Sequence, residues 1–121
     1  MSAVEMVTRE NWKEFLASPV AVLMLAKTDC GSCAAWTEEL NAFLASGEAP
    51  EGVRFGKLYL DKPGLIEFKK GNPWIADLDV LPFNVVYVAG ERMKSFAGSG
   101  VDRLLSRLRR VMEPDPDAAS A

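Results

Sequence analysis

The chain has 121 residues, 49% hydrophobic and 26% charged, the size and composition of one globular domain able to bury its own core. Lys and Arg number 14 against 17 Asp and Glu, a net charge of −3, so no general attraction to nucleic acid or anionic lipid is expected. There is no histidine, which excludes Ser-His and Cys-His catalysis and removes the commonest zinc ligand.

Met1 to Met6 lacks the basic start and apolar run of a secretory leader, so a cytoplasmic protein is expected. Thr8 reads as the N-cap of a first helix, with Val7 and Trp12 at hydrophobic-staple spacing and Trp12, Phe15 and Leu16 on one apolar stripe. Ser18-Pro19 stops it. Val20 to Ala26 is apolar throughout, too short to cross a bilayer and of the right length for a strand buried on both faces. A second helix is expected from Cys30 or Gly31 to Ser46, closed by Gly47. Val53 to Leu60 reads as a strand, Pro63 to Lys70 as a short helix, and Trp74 to Leu78 as a further helical turn. Phe83 to Ala89 and Arg92 to Ala97 form a hairpin about Gly90-Glu91. The last helix runs from Val101 to Met112 with an apolar face of Val101, Leu104, Leu105, Leu108 and Val111. Residues 113–121, which begin Glu113-Pro114-Asp115-Pro116-Asp117, read as a flexible tail to a domain of residues 1–112.

Strands joined through helices pair in parallel with right-handed crossovers. The expected architecture is therefore α/β: a mixed sheet of about four strands flanked by helices on both faces.

Cys30-Gly31-Ser32-Cys33 lies where a buried strand turns into a helix. A helix N-terminus offers unpaired N–H groups and partial positive charge, which lower a thiol pKa from roughly 8.5 toward neutrality. Cys30, at the mouth, is the expected nucleophile, and Cys33, one turn in, the resolving thiol. The pair could instead be half of a zinc site, although the other ligands would have to be carboxylates or come from a second chain, or two small core residues.

From about Val7 to Met112 the chain resembles the thioredoxin family. The resemblance rests on the C-G-x-C after a buried strand, Leu81-Pro82 ahead of the Phe83 strand, Gly90, Gly98, and Lys57-Leu58-Tyr59-Leu60-Asp61. It implies a thioredoxin-like fold, a cis bond before Pro82, and a substrate groove in which the backbone of Leu81 and Pro82 pairs with a bound polypeptide and Gly98 lines the wall. It also implies protein disulfide substrates and an upstream reductase, with no cofactor or metal, and a monomeric protein. The sequence departs from the family at Met24, where a buried aspartate is usual, at Asp29, where a tryptophan precedes the first cysteine, and at Ala34-Ala35, which lack the helix-kinking proline. Lys57 matches a lysine near that aspartate; it could sit near Cys33 or point to solvent, and solvent is the expected orientation.

The function expected is thiol–disulfide exchange through Cys30 and Cys33, in the reducing direction. Gly31-Ser32 brings no imidazole or charge to the thiolate, so the potential should lie nearer roughly −270 mV than roughly −120 mV. The alternatives are a binding or adaptor module on the same fold and a redox partner dedicated to one protein. Arg103, Arg107, Arg109 and Arg110 read as the solvated face of the last helix, with a basic docking patch as the other reading. Trp74 reads as packing, or as a flank of the groove.

Overall fold

The apolar run Val20–Ala26 forms strand β2, and the rest of the molecule, a computed structural model that describes residues 3–112, is assembled around it. The tail expected over residues 113–121 lies outside the described residues. Ala21 to Ala26 are all buried. Ala21, Leu23 and Leu25 enter one core and Val22 and Met24 the other, which is the two-residue alternation of a strand covered on both faces. β3, Val53–Tyr59, runs parallel to β2 on one side; β4, Phe83–Val88, runs antiparallel on the other. β5, Glu91–Ala97, pairs with β4 through a turn in which Ala89 and Gly90 take φ of 51° and 88°, the positive values that a tight hairpin turn demands.

The sheet has five strands rather than four. The additional one, β1, is Glu5–Val7, parallel to the outer edge of β3, so the order is β1-β3-β2-β4-β5. Three residues are too few to display alternation. Thr8 consequently starts a turn and is not a helix cap. Its carbonyl accepts from the N–H groups of Asn11 and Trp12, while Asn11 Oδ1 accepts from the Thr8 N–H at 2.7 Å. Helix α1 is only Trp12–Leu16, and Val7 packs as a strand residue. Arg54 fastens this edge, binding both oxygens of Glu5 at 2.6 and 2.9 Å, the Glu14 carboxylate, and Ser18 Oγ at 3.1 Å.

Helices α2, Gly31–Ala45, and α4, Val101–Met112, cover one face of the sheet through Trp36, Leu40, Phe43, Leu104 and Leu108. The other face carries α1, α3 at Ile66–Gly71, and a 3₁₀ turn at Pro73–Asp77, packed through Phe15, Leu16, Phe68 and Ile75. α3 starts later than Pro63 because Gly64 takes a φ of +85°, which a helix cannot contain. Among the described residues no helix is long and apolar enough to cross a membrane.

Candidate active site

The strand–helix junction after β2 presents the two cysteines as the sequence pattern requires. Cys30 is the N-cap of α2, with extended backbone (φ −146°, ψ 105°), and its Sγ accepts the Cys33 N–H at 3.2 Å. Cys30 is half-buried; Cys33 is 2% exposed and sits on the face of α2 that carries Trp36. The two are joined as a disulfide, with Cα atoms 5.3 Å apart. The first turn of α2 contains no acidic side chain, so the partial positive charge of a four-turn helix acts on Cys30 unopposed from within the helix. Asp29 lies outside the helix and is exposed.

The facing wall is the segment that enters β4. The Leu81–Pro82 bond is cis. Pro82 is buried, and its carbonyl accepts the Gly98 N–H at 2.8 Å, which brings the loop after β5 against the proline. Ser32 joins this wall to the cysteines: its hydroxyl donates to the Leu81 carbonyl at 3.3 Å and lies 3.4 Å from Cys30 Sγ. The fold thus gathers Cys30, Leu81, Pro82 and Gly98 at one rim, with Cys33 behind them. In the sequence Ser32 is only an uncharged spacer between the cysteines; its reach to Leu81 depends on two segments 49 residues apart.

No family model matches the chain, and no curated protein matches its sequence. Solved structures do match. Thioredoxin from Trypanosoma brucei brucei superimposes with a TM-score of 0.70 at 17% identity, covering 93% of both chains. Thioredoxin f2 from Chlamydomonas reinhardtii gives 0.69 at 17% identity, over 93% of this chain and 100% of that one. Spinach chloroplast thioredoxin f gives 0.69 at 18% identity, over 88% and 84%. The chain has the thioredoxin fold.

Within that fold Met24 has distinctive neighbours. It pairs in register with Lys57 on β3 and Asn84 on β4, and no carboxylate is buried among the described residues. Asn84 is fully buried, and the motifs of the sequence do not point to it. Its Oδ1 accepts the Trp36 indole N–H at 2.7 Å, and its Nδ2 donates to the carbonyls of Gly98 at 2.8 Å and Phe96 at 3.3 Å. One amide therefore ties α2 to β4 and to the Gly98 loop. The signal was present: a lone polar residue in Phe83-Asn84-Val85-Val86-Tyr87-Val88, a strand otherwise apolar or aromatic.

Lys57 does not point freely to solvent as expected. It is half-buried, its Nζ donates to Thr37 Oγ1 at 3.4 Å and it lies 4.9 Å from the Tyr59 ring centre, while Thr37 donates to the Cys33 carbonyl at 2.8 Å. Asp61 closes the end of β3 onto the loop before Cys30: the Thr28 hydroxyl donates to it at 2.5 Å and the Thr28 N–H at 3.2 Å. These bonds, the hydroxyl's foremost, hold its carboxyl below the ordinary aspartate value. A cleft of about 690 Å³, bordered by Lys27, Leu60, Asp61, Ile75, Leu78 and Leu81, opens beside the Leu81 end of the site. Trp74 packs against Phe83 at 5.8 Å, beneath Arg92.

Among the described residues no cluster of three or more His, Cys, Asp or Glu could hold a metal ion.

Proposed function

We propose that the chain catalyses thiol–disulfide exchange on protein substrates, as a reductant. In the reduced state the Cys30 thiolate attacks one sulfur of a substrate disulfide. That bond breaks, a mixed disulfide forms, and the departing substrate sulfur takes a proton. Cys33 then gives up its proton, attacks Cys30 Sγ, restores the internal disulfide and releases the second substrate thiol. Two electrons pass to the substrate, and an upstream reductase returns them. Leu81, Pro82 and Gly98 form the groove that holds the substrate backbone. A reducing compartment such as the cytoplasm suits this direction of transfer.

The observation that carries this reading is the asymmetry of the pair. The half-exposed sulfur caps a 15-residue helix, and its partner is 2% exposed within bonding distance. The test is equilibration in glutathione or dithiothreitol buffers with thiol trapping. A reversible two-electron couple between roughly −220 and −280 mV is expected, with insulin reduction lost in Cys30→Ser and a trapped mixed disulfide accumulating in Cys33→Ser. Absence of any reversible couple would refute the proposal.

A further inference from the structure

The charge of the chain is strongly segregated. Residues 92–112 carry six Lys and Arg against one Asp, whereas the rest of the chain carries eight against 16 Asp and Glu. The fold gathers most of the basic segment on one face. Arg103, Arg107 and Arg110 follow one another along α4 at helical spacing, and Lys94 of β5 joins Arg107 and Arg110 around a cleft of about 360 Å³ that also includes Ser95 and Ser106. The register shift beside Val86 leaves Met93 as an extra residue in β5, and Arg92 lies over Trp74 in the other layer, apart from Lys94.

Arg103 and Arg107 are held in place without being neutralised by a carboxylate among the described residues. The guanidinium carbons of Arg103 and Arg107 both lie 4.8 Å from the centre of the Phe96 ring. Arg103 donates to the carbonyls of Ala97 at 2.9 Å and Ser99 at 3.2 Å, and Arg107 to that of Arg103 at 3.1 Å. Stacking and carbonyl contacts fix the side chains but supply no counter-charge. Among the described residues none of the four forms an ion pair. The face also begins at the active site, because Arg103 holds the carbonyls on either side of Gly98, whose N–H bonds Pro82.

We propose that Lys94, Arg103, Arg107 and Arg110 dock the acidic surface of a protein whose disulfide is attacked at Cys30. The proposal rests on the exchange reaction above and names its partner by charge. A protein is favoured over nucleic acid because the face adjoins the groove for a polypeptide and the rest of the molecule repels polyanions. Arg103 and Arg107, ordered and without an ion pair among the described residues, lose little side-chain freedom on pairing with carboxylates, and opposite charge beginning at the groove orients the approaching disulfide.

Binding is measured on the full chain with its disulfide intact, so the result does not depend on redox activity. The probe is a fluorescent, cysteine-free peptide containing four glutamates, compared with its glutamine counterpart at about 20 mM and about 300 mM salt. The glutamate peptide should bind roughly tenfold tighter at low salt, the size several exposed ion pairs supply together, and lose most of that preference at high salt. The preference should vanish in K94E/R107E/R110E, with folding of that variant checked by circular dichroism. Equal binding of the two peptides, or a preference kept by the variant, would overturn the proposal. So would tighter binding of a 20-nucleotide single-stranded DNA than of the glutamate peptide. Glu113, Asp115 and Asp117 follow α4 in the sequence; a glutamate preference that appears only in E113Q/D115N/D117N would assign the face to the chain's own tail instead.

Discussion

Replacing Asn84 with alanine removes hydrogen bonds to three separate elements at once. The Trp36 indole N–H, on a fully buried ring, loses its acceptor at 2.7 Å and has no route to water; an orphaned buried donor costs about 1–3 kcal/mol. The Gly98 carbonyl is half-exposed and recovers by turning to solvent, while the Phe96 contact at 3.3 Å is long, so both contribute less. The lost amide also leaves a small void beside Met24, and the whole effect should be about 2–4 kcal/mol. That is a large share of the roughly 5–15 kcal/mol that holds such a domain folded. Urea unfolding followed by tryptophan fluorescence measures it, and hydrogen exchange at Gly98 should accelerate. Asn84→Asp provides a second reading. Its carboxyl would be buried opposite two carbonyls, so its folded-state pKa rises above roughly 3.9 and its stability falls as pH increases from about 4 toward 7. A loss below about 0.5 kcal/mol in Asn84→Ala, the range of an ordinary surface change, would refute the role assigned to this network.

Ser32→Ala should leave the fold intact and remove a hydroxyl that can turn from Leu81 to the Cys30 thiolate, making the couple more reducing by about 20 mV, measured by redox titration. Gly56→Ala should destabilise by about 1–3 kcal/mol in denaturant unfolding, because a Cβ there would stand 2.5 Å from Val7 Cγ2 and 2.7 Å from Phe15 Cζ. Tyr87 is fully buried with its hydroxyl donating to Asn72 Oδ1 at 2.9 Å, and burial pushes its pKa well above the ordinary tyrosine value. The unfolded chain therefore ionises this group first, and stability should fall as pH rises above about 10 by up to roughly 1.4 kcal/mol per pH unit. Tyr87→Phe should lose that extra slope in thermal melts between pH 9 and pH 11.

Much of the molecule is legible from residues taken in order. A seven-residue apolar run is satisfied between two layers, so β2 follows from Val20–Ala26, and the α/β class follows from the helices and strands that alternate around it. α4 begins at Val101, as its apolar spacing indicates, and is helical to Met112, the last described residue. Cys30 and Cys33 are placed by local rules, since a strand, a turn and a helix within a dozen residues put one sulfur at the cap and the other a turn behind. Periodicity failed where elements are too short to show it: β1 has three residues, and its pairing with β3 depends on a chain segment some 50 residues away. The remaining decisions belong to tertiary structure. Ser32 meets Leu81, Asn84 joins Trp36 to Gly98, and Lys57 turns toward Thr37 only because the sheet brings distant segments into register. Composition shows a chain of net charge −3, whereas the fold collects Lys94, Arg103, Arg107 and Arg110 on one face, none of them in an ion pair among the described residues. Sequence spacing governs contacts within a few residues, and chain crossing governs the rest; the walls of this site come from three crossings of one sheet.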